Sequence, residues 1–582
     1  MSISFSSLHT LGSCCKYIIS LLMVSCVAVQ QPEGGPKDET PLKIVRSFPK
    51  DSALNFKRNK ISVTFNKDIK VDNIYAKLVI TPQLEKSKKK QPYTYSVSGK
   101  TLALKFNAPL KIDTTYSIHF SEAIKDLHEG LKAVGCLLTF STGSFIDPMV
   151  AAGKVKELLS DKPVGGVSIC LYNTERDPKE WEENDTPDYY TTSDKEGNFK
   201  IQRIRLGNYY MRATTGKGSK FKIDYEKDQY GFFKTPLNLS DSREDIVIPL
   251  ITNDVRDLKL LNTVPEKGLC KVVFNKPITT YNLVALQTIT AANKLELCSH
   301  ILSTAPNTLV IYNTLGLLEG ERYEAKVAVE DHLHQLLEAP LSIQFKFKEG
   351  KIEPEKLTYT LEKRVIDSIS SSFEQAILFS KPIKQFNEKL IYFEGKDKEA
   401  QKKFLSEKEW EWNVDQTKLT LKKTFSTEEL TQIAQEKEKE KEKEQDTTKS
   451  VKRFITLSIG EGAFITADKL YNQAGSQAYL LRNEEETGSI AGTITTHFPH
   501  FIIELLNDKH KIVDSIRDTT NYHFAMVPPG DYRIRVLVVN EGETAWSPGN
   551  IRKNIEPNRV VFYPDKITIM EKMDVQGMDF TC

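Results

Sequence analysis

Apolar and polar residues alternate along much of this chain. In Ile61-Ser62-Val63-Thr64-Phe65 every second residue is apolar, and so it is through Leu102, Leu104 and Phe106 and through Tyr116, Ile118 and Phe120. A period of two puts those side chains on one face of a β-strand, and a second sheet must cover that face. Turn signals interrupt the runs about every ten residues, which predicts short strands packed as sandwiches. Asn275-Lys276-Pro277 and Ser380-Lys381-Pro382 mark strand ends, because a proline there cannot donate to a ladder.

The pattern also repeats at long range. Residues 61–73 read ISVTFNKDIKVDN, 271–282 read KVVFNKPITTYN and 376–387 read AILFSKPIKQFN. Phe65, Phe274 and Phe379 are equivalent, and the last two stand 105 residues apart. Leu102-Ala103-Leu104, Leu309-Val310-Ile311 and Leu419-Thr420-Leu421 each follow 35 to 40 residues later. Then come YSIHFSEAIKDL (116–127), YEAKVAVEDHL (323–333) and FITLSIGEGAFITADKL (454–470). Recurrence at fixed spacing argues for three copies of one fold. A second plan occurs twice. Residues 151–172 and 191–213 form the first copy, with a hairpin signal at Asp194-Lys195-Glu196-Gly197-Asn198 and then Gly207-Asn208-Tyr209. Gly488 to Ile494 and FAMVPPGDYRIRV (524–536), with Gly530-Asp531-Tyr532, form the second.

The threefold unit resembles the bacterial Ig-like domain of the S-layer type. The twofold unit resembles the transthyretin-like, carboxypeptidase-regulatory-like β-sandwich, in which the glycine makes a tight turn and the tyrosine packs inward. The opening GGPKDETP followed by such a domain is similar to a group of Bacteroidetes lipoproteins. These resemblances imply an all-β fold of tandem small sandwiches and an envelope address, and they carry over no activity. The expected layout is a signal peptide (1–25), a tether (26–40), Ig-like domain 1 (41–145) and transthyretin-like module 1 (148–252). Ig-like domain 2 (253–349), Ig-like domain 3 (350–485, with a charged insertion near 430–450) and transthyretin-like module 2 (487–582) follow. The expected arrangement is five sandwiches in a row.

The N-terminus supplies the address. Tyr17 to Val24 is a short apolar run behind Lys16, too short for a spanning helix and suited to a secretory signal. Met23-Val24-Ser25-Cys26 resembles the lipobox of bacterial lipoproteins, which implies cleavage before Cys26 and lipid attachment to it. Several acyl chains anchor stably, each buried methylene contributing about 0.8 kcal/mol. Cleavage there leaves 582 − 25 = 557 residues. Val27 is not the aspartate that retains some lipoproteins in the inner membrane, which favours the outer membrane.

Charge adds little. With 80 basic and 78 acidic residues the net charge is +2, so no global field points to nucleic acid. The alternating run from Glu436 to Glu444 reads as a solvated loop or frayed helix at a loop tip.

Catalytic spacings (HExxH, GxSxG, GxxxxGK[ST]) do not occur. The expectation is therefore a non-enzymatic structural or interaction scaffold with no catalytic residues, no cofactor and no metal; the alternatives are a glycan- or peptide-binding surface protein and an envelope enzyme whose site spans domains and escapes motif reading. Its partners are the membrane, through the lipid, and an envelope protein or glycan. Weaker candidates are few. Cys298-Ser299-His300 with His332-Leu333-His334 would bind a transition metal if their strands were adjacent. His497-Phe498-Pro499-His500 is broken by its proline, and Trp181-Glu182-Glu183-Asn184-Asp185 suits a polar loop better than calcium. Trp410, Trp412 and Tyr190 could stack on sugars, although alternating tryptophans on a strand usually pack into a core. Asp51-Ser52-Ala53, Asp367-Ser368-Ile369 and Asp514-Ser515-Ile516 resemble an O-glycosylation motif, with plain turns as the simpler reading. The remaining cysteines read as buried small apolar residues, with Cys270–Cys298 as a candidate disulfide.

Overall fold

The computed structural model describes residues 38–84, 91–120, 123–133, 135–174, 187–216, 222–285, 298–313, 317–346, 357–361, 366–367, 372–395, 402–438, 451–467, 469–482 and 486–582. Cys26, the acidic group 181–185 and residues 439–450 lie outside them. The fold is all-β, with about 53% strand and 4% helix. No helix among the described residues is long and apolar enough to cross a membrane.

Apolar side chains gather into five large clusters in chain order. The first runs from Leu42 to Phe140, the second from Ala151 to Leu250 and the third from Leu258 to Phe345. The fourth runs from Leu357 to Leu481 and the fifth from Ile490 to Cys582. The repeated phenylalanines Phe65, Phe274 and Phe379 are all buried in the first, third and fourth cores. Each contributes roughly 1.5–3 kcal/mol by leaving water.

The threefold repeat is one topology. In the first core the sheet order is Ile44–Phe48, Lys60–Phe65, Thr101–Phe106, Tyr93–Ser98. In the third it is Leu260–Glu266, Leu269–Phe274, Thr308–Tyr312, Ser299–Ile301. In the fourth it is Tyr359–Leu361, Ser372–Phe379, Lys418–Thr424, Trp410–Trp412. Each phenylalanine closes the second strand of its sheet, and the leucine-rich segment pairs beside it.

The second and fifth cores share the other plan. Their first strands, Met149–Glu157 and Gly488–Thr495, each take a parallel partner from the end of the unit. Gly153 and Gly492 permit that approach, since a Cβ would lie 1.8 Å from the Ile246 carbonyl oxygen or 2.4 Å from that of Met578. Gly207 and Gly530 both have φ +154°, a conformation close to glycine-only. The tyrosines two residues later are buried, and their hydroxyls donate back across the turn. Tyr209 reaches the Arg205 carbonyl at 2.9 Å and Tyr532 the Pro528 carbonyl at 2.7 Å.

Three expectations need correcting. The tight turn at Asp194–Asn198 exists, with Asp194 Oδ1 accepting from the Asn198 N–H at 2.7 Å. Its flanking strands, Tyr189–Thr192 and Asn198–Ile204, belong to different sheets, so it is an arch and no hairpin. The charged run begins as a strand, Gln435–Glu438, paired with Val451–Ile459 after a helix at Thr427–Ile433. Strict alternation has the period of a strand, which the loop or helix reading overlooked. Finally, the units do not form a simple row. A sixth, smaller cluster joins Tyr230, Phe232, Ile251 and Val255 to Ile551, with Leu333 and Trp546 packed against it.

Candidate functional site

The polar residues that the repeat places at one end of each sandwich have clear local roles. Asn66 Oδ1 accepts from the Lys43 N–H at 2.9 Å, while its Nδ2 donates to the Pro41 carbonyl at 3.1 Å. Asn275 does the same with Lys259 at 2.7 Å and Asp257 at 2.9 Å. Ser380 keeps half of this, its hydroxyl accepting from the Thr358 N–H at 3.4 Å. A second polar residue gathers the turn after the recurring third segment. Asp126 accepts backbone N–H bonds from His128 (2.8 Å), Glu129 (2.6 Å) and Leu131 (3.3 Å). Burial raises its proton affinity, but those donors outweigh burial and hold the carboxyl below the usual carboxylate range. Asp331 accepts from Leu333 and Gln335 at 2.9 and 2.8 Å. In the fourth core a threonine serves, Thr466 Oγ1 accepting from Leu470 at 3.0 Å. The recurring segments contained these residues, and the alignment of their apolar positions drew attention away from them.

The third core adds a buried charge pair. Lys276, the counterpart of Lys67, forms an ion pair with Asp331, and both side chains are wholly shielded from solvent. The ammonium also donates to the Arg256 carbonyl and, at 3.1 Å, to Gln335 Oε1. The next residue, His332, places Nε2 2.7 Å from Asn253 Oδ1. Burial is the largest influence on His332 and lowers its pKa.

The proposed metal cluster does not assemble. His300 lies on Ser299–Ile301 in one sheet, whereas His332 and His334 sit in the turn after Arg322–Glu330 of the facing sheet. His300 is buried and stacks on Tyr312 with ring centroids 5.7 Å apart, and burial pushes its pKa down to about 4. His334 pairs with Glu330 instead. Among the described residues no group of three or more His, Cys, Asp or Glu could hold a metal ion. Cys270 faces Ile311, whose other neighbour is Ser299, the residue after Cys298. Two strand spacings of about 4.8 Å exceed the reach of a disulfide. His497 lies against Phe498 with the rings tilted by 36°, and His500 pairs with Asp518 at 3.3 Å.

The aromatic candidates divide. Trp410 and Trp412 pack on Phe386 at 5.1 and 5.7 Å and lie half-buried against the fourth core beside Phe379 and Phe464. Tyr190 instead joins Cys170, Tyr172 and Tyr210 in a small cluster on the second unit. Across the junction, Tyr75 contacts Tyr93 at 5.3 Å and Tyr95 at 5.8 Å. Tyr75 and Tyr95 are about two-fifths exposed (41% and 42%), enough for a ring face to meet a ligand. The junction is fastened nearby, where the Gln83 N–H donates to the Asp188 carbonyl at 3.0 Å. Of the glycosylation-like triplets, Asp51 Oδ1 accepts from the Thr139 N–H at 2.8 Å, Ser515 lies on an exposed edge strand, and Ser368 and Ile369 fall outside the described residues.

Residues 38–142 match the family described as the bacterial Ig-like domain. No curated protein matches the chain. Among solved structures it is similar to BcpA, the major pilin subunit of Bacillus cereus, at 10% identity over 74% of this chain and 98% of that one, with a TM-score of 0.12. It is also similar to domains 1–6 of the surface layer protein SbsC, at 11% identity over 92% and 68%, with a TM-score of 0.17. Likenesses of this order say nothing about activity.

Proposed function

We propose that this chain is a non-enzymatic cell-envelope scaffold of five β-sandwich domains, held to the outer membrane by lipid on Cys26. The observation that carries the reading is the gathering of most buried apolar residues into five large cores in chain order, with the polar residues of the repeats engaged in fastening turns. The first of these cores falls within the segment that matches the bacterial Ig-like domain. In this reading the domain limits are 41–145, 148–252, 253–349, 350–485 and 487–582. Fatty-acid labelling in cells tests the anchor: Cys26→Ala should abolish it, and labelling that persists would remove the anchor from the proposal. Pull-down from solubilised membranes should recover an envelope protein.

A second reading, a glycan- or peptide-binding surface protein, rests on Tyr75, Tyr93, Tyr95 and the neighbouring Tyr190. Aromatic faces recognise sugar rings and peptides without catalysis. Tyr75→Ala with Tyr95→Ala should then abolish retention on a glycan array or an envelope-peptide panel. Absence of retention by the unaltered chain would leave the scaffold reading alone.

A further inference from the structure

We propose that residues 487–582 are a clasp: they dock back on residues 148–252 and so close the intervening segment, 253–486, into a loop. The scaffold would then have a fixed shape with the fourth core at the turn of the loop. This goes beyond the scaffold reading, which requires only beads on a string.

Three kinds of contact converge on the same surface. The first is charged. Arg535 pairs with Glu504 of its own sheet, and both are about nine-tenths buried. The guanidinium then donates to the Leu159 carbonyl, 376 residues away in sequence. Arg533 beside it donates to the Ser160 carbonyl at 3.3 Å and lies 3.5 Å from Asp161. Hydrogen bonds from an ionised donor are about twice as strong as neutral ones. Docking covers this arginine, and one of its N–H groups then meets a carbonyl of the other unit in place of water.

The second contact is polar and lies at the same end of the second unit, where Leu158 and Leu250 close neighbouring strands. The side-chain amide of Asn253 donates to the Gly549 carbonyl at 2.9 Å, and its oxygen faces His332. Tyr230 of the second unit donates to the Asn253 carbonyl at 3.1 Å, so this first residue of the third unit touches both the second and the fifth. The Lys234 N–H adds a bond to Glu556 Oε1 at 3.0 Å, and Arg552 reaches Asp257 at 3.3 Å.

The third contact is apolar. Ile551 is buried against Tyr230, Phe232, Ile251 and Val255, with Trp546 and Leu333 at the margin. A cleft of about 340 Å³ beside this cluster is lined from both sides, by Phe232 and Phe233 and by Pro557 and Phe562. An isoleucine on a short turn would not be buried if the fifth unit stood alone in water.

Cutting the chain tests whether this surface holds the units together without the covalent link. A protease site is inserted at position 484 of the full-length soluble chain, which is digested under native conditions and passed over a sizing column. The clasp predicts that both fragments elute together. Arg533→Glu, which sets an acid against Asp161, and Ile551→Asp should each release the C-terminal fragment, while Arg533→Lys should retain it. Circular dichroism of the released fragment checks that it remains β-structured. Release of the C-terminal fragment from the unaltered chain would overturn the proposal, as would retention with both Arg533→Glu and Ile551→Asp.

Discussion

Lys67 and Lys276 hold the same place in two copies of one fold and live in different surroundings. Each follows a buried phenylalanine and an asparagine that fastens the first strand. Each stands near an aspartate that gathers the same turn. In the first copy the lysine, largely covered, pairs with the exposed Asp38 at 2.9 Å, and the aspartate of the turn spends itself on backbone. In the third core the lysine is sealed against Asp331. The framework is common to both. What differs is the cover, because Arg256, Gln335 and the cluster around Val255 and Leu333 lie over the third core's turn. A repeat thus conserves how a unit is built, while its neighbours decide which of its charges are buried.

The largest test of that comparison removes each lysine. Lys276→Met leaves Asp331 buried without its partner, which should cost about 3–5 kcal/mol of local stability. Hydrogen exchange across Leu269–Phe274 reads that loss without requiring the whole chain to unfold in one step. Lys67→Met should lower protection across Lys60–Phe65 far less, because its partner Asp38 is mostly exposed and water takes the lysine's place there. Equal losses at the two sites would break the comparison.

The second and fifth units allow the same contrast with smaller effects. Gly207→Ala and Gly530→Ala both force an alanine into a glycine-only conformation, at about 1–3 kcal/mol each. Because the turn belongs to the framework, the two losses should agree. Exchange across Gly207–Thr214 and Gly530–Val539 measures them, and a much larger loss at Gly530 would show that docking, too, depends on that turn.

Much of this was legible in the sequence. Phe65, Phe274 and Phe379 announced three copies because burial on one face of a strand imposes a period of two, and Gly-x-Tyr announced the other two because few residues tolerate that turn. The arch at Asp194–Asn198 was misread because an Asp-to-Gly turn serves equally between paired strands and between sheets. The Arg535–Leu159 contact was invisible for a different reason. It joins residues 376 apart, and nothing local in either segment names the other. The burial of Lys276 was hidden likewise, since its sequence neighbours match those of Lys67.

Acid should act on the cover and spare the framework. His332 faces Asp331, Lys276 and Asp254, and burial chiefly lowers its pKa. His510 faces Lys162, Glu157, Arg533 and Arg535, again with burial as the largest cause of a lowered pKa, and its Nδ1 is buried with no hydrogen-bond partner among the described residues. A histidine whose pKa is depressed in the docked state favours docking fully above its free value near 6.5, and that contribution is lost as the pH falls below it. Exchange at Ile551 and Tyr230 should therefore rise between neutral and mildly acid pH, and the rise should shrink in His332→Gln and His510→Gln. The first copy carries Leu127 where the third core has His332, and its turn should stay unchanged over the same range.

The smallest effect is expected at the charged run, which belongs to neither framework nor cover. Deleting Glu436–Glu444 removes no residue of the fourth core's apolar cluster. It does remove Glu436, Lys437 and Glu438, which pair with Arg453, Lys452 and Val451 on one side of a strand that also pairs with Ile391–Glu394 and, on its other side, with Gly475–Arg482. The loss is therefore a few ladder bonds, each worth about 1 kcal/mol at most when water can replace them. The melting midpoint of the fourth unit should shift slightly, with faster exchange confined to Val451–Arg453. A shorter deletion that spares Glu436–Glu438 should shift nothing. If it destabilised the fourth core as much as the longer one, the run would have to count as framework after all.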